Sequence, residues 1–105
     1  MRSFVRLVIV LLLAIAFPGL AKEVTIKVDH ESFDPADLKL EKGDSVVFEN
    51  TADMPGGHTV LAEDGTFASP ALEKGKSWTY KFEKVGTWKI QLKEHPKTRG
   101  IIMVE

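Results

Sequence analysis

The chain has 105 residues, a formal net charge of -1, 44% apolar residues and no cysteine. This length and composition are typical of one globular domain and exclude a disordered or fibrous chain. The missing cysteine excludes disulfides, thiolate metal ligands and thiol redox chemistry, and the lack of any basic block excludes an electrostatic surface for nucleic acid or anionic membrane.

The N-terminal segment has the pattern of an export signal. Two arginines flank the start of an unbroken apolar run, residues 7–17, which is much shorter than the roughly 20 residues needed to cross a bilayer. A helix-breaking Pro-Gly pair follows, and small residues precede a cleavage point after Ala21. We therefore expect a signal peptide over residues 1–21, one domain over residues 22–105 and export to the periplasm, with an uncleaved N-terminal anchor as the alternative.

Apolar residues then recur at every second position in several short runs, which is typical of strands with one face on a core. The predicted strands cover residues 24–28, 38–40, 46–48, 78–82, 88–92 and 101–104. Turn-forming residues separate these runs, and no stretch of ten or more residues keeps a capped helical period. The sequence therefore predicts an all-β sandwich. Its last run is apolar throughout and predicts a buried closing strand, with Met103 in the core.

The candidate functional side chains are histidines. His58 and His95 lie in loops at predicted strand ends, where sites on a rigid sandwich are usually built. His30, in Asp29-His30-Glu31 at the end of the first strand, is interpreted as a solvated surface residue. The acidic residues show no pairing typical of acid–base catalysis, and no Ser-His-Asp or glycine-rich phosphate signature is present. The sequence therefore predicts a protein that is not an enzyme.

In its motifs the chain resembles the cupredoxins, and the amicyanin, plastocyanin and pseudoazurin type most closely. The matching segments are Phe33-Asp34-Pro35, residues 42–50, His58-Thr59, Gly86-Thr87-Trp88, His95-Pro96, Arg99-Gly100 and the closing apolar strand. The resemblance covers essentially all of residues 22–105. It implies a cupredoxin-like Greek-key β-sandwich.

Members of that family hold one copper ion with a histidine from the first half and a Cys-x-x-His-x-x-Met loop between the last two strands. The resemblance places His58 and His95 at the two histidine positions, Leu92 at the cysteine position and Thr98 at the axial methionine position. Gly56-Gly57 looks like a two-residue insertion. Because the copper–thiolate bond provides the colour and the electron path of a blue-copper site, we expect a degenerate site without blue-copper electron transfer.

Two hypotheses of function follow. The first is a periplasmic protein that binds a metal ion, with copper preferred, through His58 and His95; Met54 could add a soft thioether ligand, and Glu94 or Asp53 a hard oxygen. The second is a metal-free docking module for a periplasmic redox or metal-transport partner, favoured by the apolar residue at the cysteine position. Neither hypothesis includes nucleic acid, or a membrane after signal cleavage.

Overall fold

The computed structural model describes residues 20–105, so all but the last two residues of the predicted signal peptide lie outside the described part. Within it, no helix is long and apolar enough to cross a membrane. The regular elements are strands. They are β1 (Glu23–Val28), β2 (Phe33–Asp34), β3 (Asp37–Leu40), β4 (Ser45–Asn50), β5 (Val60–Ala62), β6 (Ser77–Lys81), β7 (Gly86–Leu92) and β8 (Arg99–Val104).

The strands form two four-stranded sheets, ordered β2-β1-β4-β6 and β3-β8-β7-β5. β1 pairs in parallel with β4, and β3 in parallel with β8. The remaining neighbours are antiparallel. The buried apolar side chains of both sheets belong to one core cluster, so the predicted all-β sandwich is confirmed.

Alternation of burial along the strands explains how these residues form a core, since successive side chains of a strand point to opposite faces of its sheet. In β4, Val46 and Phe48 are fully buried, and in β7 Ile90 and Leu92 are fully buried. Trp78 and Tyr80, on β6, pack partly buried against the same cluster. The period-two apolar pattern therefore identified the inward face.

The closing strand β8 is not buried throughout. Ile102 and Val104 lie in the core, whereas Ile101 and Met103 are 38% and 43% exposed. The prediction that Met103 belongs to the core was wrong. Only one face of this sheet contacts the core, and an apolar side chain at an alternate position points to the other face whatever its hydrophobicity.

The three histidines are positioned by strand ends that meet at one pole of the sandwich. The parallel strands β1 and β4 pair their last residues, Val28 with Asn50. In the other sheet, Val60 at the start of β5 pairs with Leu92 at the end of β7. The segments that follow Val28, precede Val60 and follow Leu92 each carry one histidine.

Candidate metal centre

The turn before His58 buries this residue against a neighbouring loop. The amide of Gly57 donates to the Met54 carbonyl (2.8 Å), and His58 and Leu72 exchange backbone hydrogen bonds of 2.9 and 2.8 Å. Gly57 has a φ of +82°, and a β-carbon there would lie 2.8 Å from the Leu72 carbonyl oxygen. Glycine is therefore required at the point where the chain turns into the site, and His58 ends up with no exposed surface.

Asn50 fixes which ring nitrogen of His58 carries the proton. The Asn50 side-chain amide donates through Nδ2 to the Leu72 carbonyl (2.7 Å), and its Oδ1 accepts from the Ala52 amide (3.1 Å). The same Oδ1 lies 2.9 Å from His58 Nδ1. Since Oδ1 can only accept, Nδ1–H is the donor and Nε2 keeps its lone pair. This Nε2 is buried and has no hydrogen-bond partner among residues 20–105.

His95 lies in the loop between β7 and β8. Its carbonyl accepts a hydrogen bond from the Thr98 amide at 2.9 Å, which closes the turn over Pro96 and Lys97. The side chain is partly buried. Its Nε2, like that of His58, is buried without a hydrogen-bond partner in the described part of the chain. Orphaned buried nitrogens are uncommon in proteins and call for an explanation such as a bound ion.

His30 joins these two residues, although its sequence context indicated a solvated surface position. It follows the end of β1 and is partly buried. Its ring centroid lies 4.9 Å from that of His58 and 5.3 Å from that of His95. Its approach follows from the parallel pairing of β1 with β4, which brings the segment after Val28 to the pole occupied by Asn50 and its partner His58. The residues around His30 do not indicate this pairing.

The three rings form a cluster of the size that one metal ion requires. Their donor atoms all lie within 4.8 Å of one another. Two nitrogens bound to one ion are at most about 4 Å apart, because each metal–nitrogen bond is about 2 Å long. Shifts of under about 1 Å would therefore bring the three nitrogens to one ion. Imidazoles at three corners of a tetrahedron would have ring centroids about 5 Å apart. The observed separations are 4.9, 5.3 and 5.3 Å, so the donor set fits a metal.

The electrostatics of the cluster favour the neutral ring of His58. Burial lowers the pKa of His58 below its ordinary value, and the neighbouring rings of His30 and His95 lower this pKa further, whereas Glu94 and Asp29 oppose the shift. A neutral imidazole retains the lone pair that a metal needs. The ring therefore need not lose a proton before it can act as a ligand near neutral pH.

Glu94 has a structural role in this arrangement. Its carboxylate accepts hydrogen bonds from the Thr59 amide (2.7 Å) and the Thr59 hydroxyl (2.8 Å). Burial alone would raise the pKa of Glu94, but these hydrogen bonds outweigh it and the pKa is lowered. The side chain thus ties the loop of His95 to the strand that begins beside His58, with both carboxylate oxygens engaged.

The two remaining positions implied by the resemblance hold no metal ligand of the blue-copper type. Leu92 is fully buried in the apolar core. Thr98 is also buried, and its hydroxyl donates to the His30 carbonyl at 2.6 Å. Met54 lies partly buried at the turn before His58, and its role as a soft ligand stays a prediction.

Comparison with known proteins finds relatives by structure. No family model and no curated protein sequence matches the chain. A Cu-containing nitrite reductase from Thermus scotoductus SA-01 is 29% identical with a TM-score of 0.72, over 79% of this chain but only 22% of that chain. This chain therefore spans less than a quarter of the reductase.

Two smaller proteins are similar over most of their own length. A mutant amicyanin in its Cu(I) state is 23% identical with a TM-score of 0.72, over 79% of this chain and 82% of that chain. A purple cupredoxin from Nitrosopumilus maritimus is 22% identical with a TM-score of 0.69, over 78% of this chain and 99% of that chain. At these identities the likeness shows the fold.

Proposed function

We propose that this chain, which has the cupredoxin fold, binds one copper ion between His58, His95 and His30 and does not pass electrons through a blue-copper centre. Two observations together support the proposal: one ring nitrogen from each of the three histidines lies within 4.8 Å of the others, and the buried Nε2 atoms of His58 and His95 have no hydrogen-bond partner among residues 20–105. A buried polar group without a partner costs about 1–3 kcal/mol. A bound metal ion would offset that cost at both nitrogens.

Copper is preferred on chemical grounds. Imidazole ligands suit copper, zinc and nickel, and the Irving–Williams order places Cu(II) above the other divalent ions of this series. The chain contains no cysteine, and Leu92 fills the cysteine position with an apolar side chain. Without a thiolate, the proposed role is to carry or buffer the ion, which is a binding function and not a catalytic one.

Access to the site supports a role in carrying an ion. A surface groove is lined by His30, His95 and residues on either side of them, including Glu31, Glu94 and Lys97. Two of the three rings therefore border solvent, while His58 lies beneath them with no exposed surface. An ion can enter or leave from the groove without unfolding of the sandwich. We propose, from the signal pattern of residues 1–21, that the protein acts in the periplasm.

Metal titration tests the proposal. Residues 22–105 and a matched His58→Ala, His95→Ala double variant are titrated with Cu(I), Cu(II) and Zn(II) against competing chelators. We expect one equivalent of copper per chain, and a loss of affinity in the double variant well beyond the roughly 10–100-fold that removal of an outer-sphere partner causes. Equal binding by the two proteins would contradict the assignment of His58 and His95 as ligands.

The second candidate function is a metal-free docking module for a periplasmic redox or metal-transport partner. The fully buried Leu92 favours it, since an apolar side chain stands at the cysteine position. The titration separates the two candidates. Absence of stoichiometric binding of any of the three ions, together with recovery of a periplasmic partner on the immobilised domain, would favour the docking module.

A further inference from the structure

Thr98 connects the loops that carry two of the three histidines. Its hydroxyl donates to the His30 carbonyl at 2.6 Å, across 68 positions of sequence. Its backbone amide donates to the His95 carbonyl at 2.9 Å. Thr98 is 3% exposed, so both hydrogen bonds are shielded from water. One residue therefore holds the backbone of His30 and of His95 at the same time.

We propose that Thr98 is a positioning residue that holds His30 in the metal centre and thereby makes it a three-nitrogen site for divalent Cu(II) or Zn(II), not a two-nitrogen site for Cu(I). This inference rests on the proposed function. It assigns a role to the threonine at the axial ligand position: it acts through the backbone of a histidine from another loop and does not itself bind the ion.

The local structure of the His30 loop shows why it needs such a connection. The neighbours Asp29, Glu31 and Ser32 are exposed. The other hydrogen bonds of this loop within the described residues are local, from the Asp29 amide to the Ser32 carbonyl and from the His30 amide to the Asp29 carboxylate. These bonds shape the turn but do not connect it to the loops of the other two histidines. The hydroxyl of Thr98 provides that connection, to the loop of His95.

The number and the softness of the ligands influence which oxidation state of the ion is bound best. Zn(II) and Cu(II) take three or more nitrogen or oxygen ligands, whereas soft ligands such as a thioether favour Cu(I). His58 and His95, with Met54 as a predicted soft ligand, would still serve Cu(I) if His30 moved away. Loss of the Thr98 hydroxyl should therefore weaken divalent binding selectively.

Thr98→Val tests this inference, since it removes the hydroxyl, keeps the side-chain shape and leaves the backbone hydrogen bond to His95. We expect Zn(II) and Cu(II) affinity to fall by about 10–100-fold, with a much smaller change in Cu(I) affinity, because His58, His95 and Met54 remain in place. Thr98→Ser should restore divalent binding. Thr66→Val is a control for the loss of a hydrogen-bonded threonine hydroxyl elsewhere, at an exposed position in the turn that follows β5.

A measurement without metal separates this inference from the proposed function. In the metal-free wild-type domain, ring protons of His30 should show nuclear Overhauser effects to those of His58 and His95, whose centroids are 4.9 and 5.3 Å away. Thr98→Val should remove these effects and retain those between His58 and His95. Retention of the His30 effects in Thr98→Val would overturn the inference, as would equal loss of Cu(I) and Zn(II) affinity.

Discussion

Copper added to a Leu92→Cys variant is expected to produce an intense visible absorption band, whereas the copper-loaded wild-type protein remains nearly colourless. The band would arise from charge transfer between a thiolate and copper, which is the electronic signature of a His₂Cys centre. The wild-type chain has no thiol, so thiolate-to-copper charge transfer requires the substitution.

The position of Leu92 supports this expectation. It is the last residue of β7 and pairs with Val60, two residues after His58. It also lies three residues before His95, and its side chain is fully buried. A sulfur atom on this side chain would be shielded from solvent, at the end of the strand that leads directly into the loop of His95.

Leu92→Ala is the matched control for the Leu92→Cys experiment. Both variants remove volume from the core, and a buried Leu→Ala change costs about 2–5 kcal/mol, but only the cysteine adds a ligand. We expect the alanine variant to bind copper without colour and to unfold at lower temperature. A colourless copper complex of Leu92→Cys would show that residue 92 does not face the histidines, and would contradict the correspondence with the cupredoxin cysteine.

Asn50→Leu is expected to destabilise the domain and to weaken metal binding together. Asn50 is fully buried, and its side chain bonds to the Leu72 carbonyl, the Ala52 amide and His58 Nδ1. The substitution leaves two buried N–H groups unpartnered, at a cost of about 1–3 kcal/mol each. The melting temperature should fall by roughly 10 °C or more, and copper affinity by about 10–100-fold, because His58 loses the partner that fixes its tautomer.

Asn50→Asp separates the role of the side-chain oxygen of Asn50, which accepts hydrogen bonds, from that of its side-chain nitrogen, which donates one. A carboxylate still accepts from Ala52 and His58 but no longer donates to Leu72, so we expect a larger share of copper affinity to be retained than in Asn50→Leu. Thermal unfolding of the metal-free variants and copper titration of the same samples provide both readouts. Wild-type stability and affinity in Asn50→Leu would contradict the role assigned to this residue.

The strands could be predicted because their evidence is local. Period-two apolar runs identified five of the strands, including the inward residues Val46, Phe48 and Ile90, because side chains of alternating burial alternate in hydrophobicity. The continuous apolar run identified β8. None of the predicted runs covers β2 or β5, since two or three residues carry no period. The exposure of Ile101 and Met103 was also missed, because a run that is apolar throughout does not show which face of the strand packs against the core and which faces solvent.

The site was predicted only in part, for a different physical reason. The resemblance drew attention to His58 and His95, and the structure brings these two rings to a centroid separation of 5.3 Å. His30 was missed because its position beside the other two histidines follows from the parallel pairing of β1 with β4 and from a hydrogen bond with Thr98. Neither feature can be recognised from the residues around His30. Gly56-Gly57, which looks like an insertion in the sequence, forms the turn that leads into the buried His58.

X-ray absorption spectroscopy of residues 22–105 loaded with one equivalent of Cu(II) tests the three-histidine centre most directly. The account predicts a first coordination sphere of nitrogen and oxygen at about 2 Å, with outer-sphere scattering from three imidazole rings and no short sulfur contribution. His30→Ala should reduce the imidazole count to two. A wild-type spectrum that is fitted by only one or two imidazoles, or copper that is removed by gel filtration, would contradict a three-histidine centre.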